Sequence, residues 1–96
     1  MKTTVVNLKY EEYDVYIGRA GKGQDGYFGN PFKIDKNTTR ELAISKFEIY
    51  FYERLSKDDN FKNKILALKG KRLGCFCSPK PCHGDIIVDF LERENK

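Results

Sequence analysis

Three short segments of the chain have the hydrophobic pattern of β-strands. They are Thr3–Leu8, Asp14–Arg19 and Leu73–Cys77. The first is a short β-branched run suited to a buried strand, and the other two show the two-residue alternation of a strand. A Ser-Pro-Lys-Pro run follows the last segment, and such residues end regular structure. We therefore predict three strands.

Helical periodicity begins after a sequence that is typical of a helix start. Thr38 and Glu41 have the spacing of a capping box, in which Thr38 is the N-cap. Apolar residues then recur at four-residue intervals as far as about Ser56. This pattern predicts an amphipathic helix whose aromatic stripe faces the core.

Two further helices are predicted on either side of the last strand. Asp58 or Asp59 can cap the first of them, and Gly70 is expected to end it. The second extends from about His83 to Glu94 and carries an apolar face.

The order of elements is thus β, β, α, α, β, α. Helices between strands favour a partly parallel sheet, and we predict an α/β fold with a small Rossmann-like sheet of three or more strands covered by helices. The 96 residues fit a single domain, residues 1–96.

Charge and hydropathy narrow the classes of function. The 18 basic and 14 acidic residues give a net charge of +4, but they are interspersed, so a nucleic-acid partner is not favoured. No apolar run has the length of a membrane span, and the N-terminus lacks the pattern of a signal peptide. We expect a cytoplasmic protein without a membrane partner.

The candidate chemistry is concentrated in one short segment. All three cysteines and the only histidine lie within residues 75–83. An odd number of clustered cysteines argues against a secreted disulfide framework and indicates reduced thiols that are packed, reactive or metal-bound. A strand that delivers such residues to a helix start is typical of ligand sites in α/β proteins.

A second candidate segment is the glycine-rich stretch Ala20–Asn30, which follows Arg19 and precedes Pro31 and Phe32. Loops of this length in a small domain are often binding loops. With the cysteine segment, it predicts a pocket for a phosphorylated, nucleotide-like small molecule. The predicted ligand-binding residues are Arg19, Asn30, Pro31, Phe32, Cys75, Cys77, Cys82, His83 and Gly84.

Each group has a physical role in this interpretation. Arg19 can clamp a phosphate with two hydrogen bonds, and the backbone N–H groups from Cys82 to Gly84 can attract an anion at a helix start. Gly84 would let the ligand approach the backbone. Asn30 offers a donor and an acceptor to a base or ribose, although it can instead hold a turn through its own backbone.

Catalysis by a thiol is the alternative interpretation. Cys82 at a helix N-terminus, beside His83, would be the nucleophile of a nucleotide or ADP-ribose-type reaction. Asp85 or Asp14 could supply the acidic residue that such a reaction places over the sugar. Neighbours on a helix point about 100° apart, so a Cys82–His83 pair is not assured, and Cys75 or Cys77 are other partners for His83. The cysteines could instead have a structural role as small buried apolar residues. Asp85 could instead simply complement the helix dipole.

Zinc is a further alternative, with Cys75, Cys77, Cys82 and His83 as ligands. The spacing differs from that of structural zinc sites, and adjacent Cys82 and His83 would have to turn towards one ion. We therefore expect no cofactor. A symmetric homodimer is the expected assembly if one chain cannot enclose the ligand.

Four blocks of the sequence resemble those of a known family: Val5–Leu8, Asp14–Arg19, Gly29–Phe32 and Gly74–Asp85. They occur in the order found in domain of unknown function 4326, which groups small bacterial and phage proteins, and they span nearly the whole chain. A weaker similarity, limited to the spacing of Cys75, Cys82 and His83, is to domain of unknown function 488.

The chain departs from the family pattern at Gly21–Phe28, where many members have a short link containing Trp. The family name implies no activity. Its frequency in phages suggests sequestration or removal of a nucleotide-derived signal or metabolite.

Overall fold

The computed structural model describes residues 2–18, 26–76 and 80–94. The predicted order of elements and the α/β class are confirmed, with a three-stranded sheet and three helices in the described residues. The elements are β1 (Thr4–Asn7), β2 (Val15–Tyr16), α1 (Arg40–Lys57), α2 (Asp59–Leu66), β3 (Arg72–Cys75) and α3 (His83–Glu94).

The sheet has the order β1-β3-β2, and β3 pairs in parallel with both neighbours. The sequence predicted a partly parallel sheet, and every pairing among the described strands is parallel. Leu73 lies opposite Val5 on one side and Val15 on the other, so these three side chains share one face. All three belong to the core or pack against it.

The opposite face of the sheet is crossed by the connection from β1 to β2. Tyr13 in this connection lies against Gly74, whose missing Cβ would be 2.6 Å from Tyr13 Cγ. A side chain at position 74 would therefore displace the connection. This explains how two parallel strands are joined across β3 without a helix.

Aromatic rings form the centre of the core, between α1 and the other helices. Phe51 has its ring centroid 5.6 Å from Phe47, 5.9 Å from Phe61 and 5.7 Å from Phe90. The prediction that the stripe on α1 is core is confirmed, since Phe47 and Phe51 are both almost fully buried. Among the described helices, none is long and apolar enough to cross a membrane.

The start of α1 is one residue later than predicted. Thr39, and not Thr38, is the N-cap, and its hydroxyl accepts a hydrogen bond from the N–H of Leu42. Thr38 instead forms a backbone bridge with Asp35, which fixes its backbone outside the helix. Glu41 is thus not placed to complete the predicted capping box.

Asp58 caps α2, which settles the choice between Asp58 and Asp59. Its carboxylate accepts a hydrogen bond from the N–H of Phe61 at 3.0 Å. The predicted end at Gly70 is wrong, because α2 ends at Leu66. Gly70 has a positive φ of 79° in the turn that leads into β3, where glycine is favoured.

The strands are shorter than the sequence pattern predicted. The extended pattern of Thr3–Leu8 includes a strand only from Thr4 to Asn7, and that of Asp14–Arg19 only Val15 and Tyr16. Ladder hydrogen bonds continue one residue further, from the N–H of Ile17 to the carbonyl of Gly74 at 3.0 Å. The strand predicted over Leu73–Cys77 begins at Arg72 and ends at Cys75. Arg19 and Cys77 lie outside the described residues.

Asp14 holds the beginning of β3 from the side of β2. Its carboxylate accepts hydrogen bonds from the backbone N–H of Arg72 at 2.7 Å and from the guanidinium of Arg72 at 3.1 and 3.2 Å. The guanidinium, followed by the backbone N–H, lowers the pKa of Asp14. The carboxylate therefore favours the folded state while it is ionised.

We predict that Asp14→Asn reduces the acid sensitivity of the fold. Because the folded state holds Asp14 ionised to a lower pH than the unfolded chain does, its contribution is complete above about pH 5 and is lost as the pH falls through the folded pKa. Thermal unfolding between pH 6 and pH 2 should show a smaller fall in Tm for the variant than for the wild type. Glu48→Gln, an exposed substitution in the middle of α1, should retain the wild-type fall; equal curves for all three proteins would contradict the prediction.

Candidate functional site

The carboxyl ends of β2 and β3 meet the beginning of α3. Cys75 is the last residue of β3, Ile17 follows β2, and Cys82 immediately precedes α3. The Sγ atoms of Cys75 and Cys82 are 3.3 Å apart, and both residues are 2 % exposed. The strand ends of a parallel sheet are where α/β proteins hold their ligands, as the sequence predicted for this segment.

Cys82 occupies the N-cap position of α3. Its Sγ accepts a hydrogen bond from the N–H of Gly84 at 3.4 Å, and its carbonyl accepts one from the N–H of Asp85. In return, the Asp85 carboxylate accepts a hydrogen bond from the N–H of Cys82 at 3.0 Å. Asp85 thus completes a reciprocal cap and orients Cys82 through its backbone.

The imidazole of His83 is held in one tautomer. Its Nε2 is 2.7 Å from the carbonyl oxygen of Ile17, and a carbonyl only accepts hydrogen bonds, so Nε2 carries the proton. In the neutral ring, Nδ1 is then the acceptor, and it lies 3.5 Å from Cys82 Sγ. Phe47 packs edge to face against the imidazole at 5.0 Å. His83 can therefore accept the thiol proton of Cys82.

The contact between Cys82 and His83 was left open by the sequence, because neighbours within a helix diverge by about 100°. That angle does not apply here, since Cys82 lies outside the regular helix. Cys75, considered as another partner for His83, contacts the sulfur of Cys82. Cys77 lies outside the described residues.

Close packing against the sheet explains why position 84 is a glycine, which the sequence did not reveal. A Cβ at this position would be 2.6 Å from Ile17 Cδ1 and 3.0 Å from a methyl group of Val5. Ile17 is fully buried, so it has little room to move. The close approach at Gly84 is therefore between α3 and the sheet; an approach by a ligand stays a prediction.

A separate cavity of about 390 Å³ lies beside the middle of α1. It contains two of the predicted ligand-binding residues, Asn30 and Pro31. Among the described residues, its lining carries two cationic side chains and no carboxylate. The lining residues are Gly26, Tyr27, Gly29, Asn30, Pro31, Lys33, Tyr50 and Arg54.

Arg54 is fixed in the wall of this cavity by aromatic rings. Its guanidinium carbon is 4.1 Å from the ring centroid of Phe61 and 5.0 Å from that of Tyr27. Nη1 donates a hydrogen bond to the Tyr50 hydroxyl at 2.8 Å, and Nε is 3.5 Å from the Asp58 carboxylate. Burial opposes the charge, but Tyr50 and Asp58 favour it, and the pKa of Arg54 is raised. Nη2 has no hydrogen-bond partner in the described part of the chain.

Asn30 makes the hydrogen bonds of a turn. Its side-chain amide donates to the carbonyl of Ala43 at 3.2 Å, and its side-chain oxygen accepts from the N–H of Phe32 at 2.9 Å. The ring of Phe32 packs edge to face on Tyr50. Asn30 and Phe32 therefore attach this loop to α1, and their contact with a ligand stays a prediction.

The two regions are separated by a buried ring. Phe47 lies 5.0 Å from His83 and 5.9 Å from Tyr50, measured between ring centroids. The predicted convergence of Arg19 with the beginning of α3 lies outside the described residues. Sequence reasoning missed Lys33, Tyr50 and Arg54 in the cavity. The i, i+4 spacing of Tyr50 and Arg54 on one helix face was the available signal.

The zinc hypothesis involves Cys75, Cys77, Cys82 and His83. Within residues 2–18, 26–76 and 80–94, no group of three or more His, Cys, Asp or Glu side chains is arranged to hold a metal ion. One of the four proposed zinc ligands, Cys77, is not in these ranges.

Comparisons with known proteins agree with the sequence blocks. A family model described as "Domain of unknown function (DUF4326)" matches residues 2–93. The chain belongs to this family. It is also similar to an uncharacterized 12.4 kDa protein from the nrdA-td intergenic region of Enterobacteria phage T4, with 39 % identity over 89 residues, or 93 % of this chain and 77 % of the phage protein. No solved structure matches.

We predict that Gly84→Ala destabilises the protein. The new Cβ would press on the buried Ile17, and overpacking of this kind typically costs about 1–3 kcal/mol. The better helix propensity of Ala offsets at most about 1 kcal/mol. Urea unfolding should report the difference, with Glu94→Ala at the exposed end of α3 as the control. A Gly84→Ala protein as stable as the wild type would contradict the packing explanation.

Proposed function

We propose that this protein binds a phosphorylated, nucleotide-like small molecule in the cytoplasm and, in its phage relatives, sequesters or removes a nucleotide-derived signal or metabolite. The observation that carries the proposal is the cavity beside α1, where Lys33 and Arg54 supply positive charge and the described part of the lining holds no carboxylate. The similarity to a phage protein supports the phage setting.

The cavity has the features that an anionic ligand with a ring would require. Arg54 is held against two aromatic rings, so its guanidinium loses little freedom when it binds a phosphate. Its Nη2 and the ammonium of Lys33 are donors to phosphate oxygens. Tyr27 and Tyr50 offer aromatic surface in the same lining. Arg19 remains part of the proposal as a second phosphate clamp.

The first test measures thermal shifts with pyrophosphate, ribose 5-phosphate and nucleoside mono-, di- and triphosphates. At least one compound should raise the Tm of the wild type. Removing a charged hydrogen bond costs about 1.5–3 kcal/mol, so Arg54→Gln should weaken its affinity by about 10- to 100-fold. Lys33→Gln tests the same cavity at an exposed side chain, and Arg19→Ala tests the second clamp.

Arg93→Gln is the matched control, because Arg93 is an exposed arginine of α3 outside the cavity lining and pairs with Asp89 at 2.8 Å. Its ligand response should equal that of the wild type. The proposal fails if no phosphorylated compound shifts the wild type, or if the cavity variants respond as the control does. Light scattering with and without the ligand tests the associated prediction of a homodimer.

The geometry around Cys82 favours one second candidate, a thiol-dependent enzyme of nucleotide or ADP-ribose-type chemistry. The specific observation is the fixed tautomer of His83, which turns an acceptor nitrogen towards Cys82 Sγ. In this reaction Nδ1 takes the thiol proton, the thiolate attacks the substrate, and the imidazolium returns the proton to the leaving group. The Gly84 N–H stabilises the thiolate.

An assay for product formation distinguishes this enzyme hypothesis from the hypothesis that the protein only binds its ligand. Nucleotides and ADP-ribose compounds are incubated with the protein and analysed by mass spectrometry. If the protein is an enzyme, Cys82→Ser or His83→Ala should lower its rate at least about 100-fold, since a general base contributes about 100-fold or more. Asp89→Asn, on the exposed side of α3, should keep the rate. Recovery of every compound unchanged would exclude these substrates and leave the binding proposal standing.

A further inference from the structure

Cys75 and Cys82 form a pair of thiols that the binding proposal does not use. Their Sγ atoms are 3.3 Å apart, although the residues belong to different elements, the end of β3 and the N-cap of α3. A disulfide bond is about 2.0 Å long, so the sulfurs need to approach by only about 1.3 Å. We propose that this pair is a redox modification site, in which Cys75 and Cys82 form a reversible disulfide on reaction with a hydroperoxide.

The surroundings assign a different role to each thiol. Cys82 Sγ lies beside His83 Nδ1, which can accept its proton, and receives the Gly84 N–H. Cys82 therefore becomes the thiolate that attacks the oxidant. Cys75 belongs to the buried apolar core cluster, on the sheet face of Leu73. It acts as the resolving thiol, since its sulfur already contacts that of Cys82.

The reaction balances with hydrogen peroxide as the oxidant. His83 Nδ1 takes the Cys82 proton, and the thiolate attacks one peroxide oxygen, so the O–O bond breaks and a sulfenic acid forms. The departing hydroxide takes the proton from His83 and leaves as water. The Cys75 sulfur then attacks the sulfur of the sulfenic acid, and its S–H proton leaves with the hydroxyl group as a second water.

Burial favours small oxidants. Both cysteines are 2 % exposed, so hydrogen peroxide reaches Cys82 more readily than a bulky oxidant does. The disulfide would tie the end of β3 to the beginning of α3 and would remove the thiol on which the second candidate function depends. Oxidation would thus switch that chemistry off, and a thiol reductant would restore it.

The test treats the reduced full-length protein with hydrogen peroxide and follows its intact mass. We expect a loss of 2 Da, the mass of two hydrogen atoms, and peptide mapping under non-reducing conditions should link Cys75 to Cys82. Dithiothreitol should reverse the change. Cys77→Ser retains only the proposed pair, so it should form the same link. A link that involves Cys77, or irreversible oxidation without a link, would overturn the proposal.

Two further variants separate the roles of the thiols. Cys75→Ser should accumulate a sulfenic acid at Cys82 that dimedone traps, whereas Cys82→Ser should give neither the link nor a trapped Cys75. His83→Gln should slow oxidation if the imidazole accepts the proton. A general base typically contributes about 100-fold or more, so we expect a decrease in rate of at least about tenfold. Circular dichroism verifies that each variant is folded. Equal rates in His83→Gln and the wild type would exclude the assigned role of His83, and trapping at Cys75 in Cys82→Ser would reverse the assigned order.

The outcome is independent of the cavity beside α1. Phosphorylated ligands can shift the Tm whether or not the link forms, and the link can form without any ligand response. Failure of one proposal therefore does not imply failure of the other.

Discussion

Strand β3 forms hydrogen bonds along both edges, with β1 on one side and β2 on the other, so a change of its register would break two ladders. Its first residue, Arg72, is held by the Asp14 carboxylate. Its last residue, Cys75, is thereby placed against Cys82 at the beginning of α3. The position of the thiols follows from the sheet, and rigid elements of this kind hold reactive groups more accurately than loops do.

Helix α1 connects the two candidate regions through successive turns. Near its first turn, the carbonyl of Ala43 accepts the hydrogen bond from Asn30. One turn later, Phe47 packs on the imidazole of His83. Further along, Tyr50 and Arg54 form part of the cavity wall. The same helix face that fills the core therefore also supports the imidazole and the guanidinium, which limits the substitutions it can accept.

The sequence was informative where a local pattern decides the structure. Strand alternation and helical periodicity were sufficient for the order of elements, and the bounds of α3 agree with the structure. The predicted N-cap Thr38 was wrong by one residue, because the backbone bridge between Asp35 and Thr38 excludes Thr38 from capping. The end of α2 was misjudged since Gly70 serves the following turn. Propensity alone does not distinguish these cases.

Tertiary contacts decided what the sequence could not. Whether Cys82 meets His83 depends on Cys82 being a cap, and the tautomer depends on the carbonyl of Ile17, distant in the chain. Gly84 was explained by the methyl groups that face it and not by its own flexibility. Arg54 was not among the predicted site residues, and only the fold places its guanidinium on the ring of Phe61. None of these relations is encoded in residue spacing.

Because the sheet is parallel, the chain leaves β1, β2 and β3 at the same edge. Residues added or exchanged in the segments that follow would change the rim around the thiols without removing a ladder hydrogen bond. Changes confined to these connectors would therefore alter the surroundings of Cys75 and Cys82 while the three paired strands keep their register.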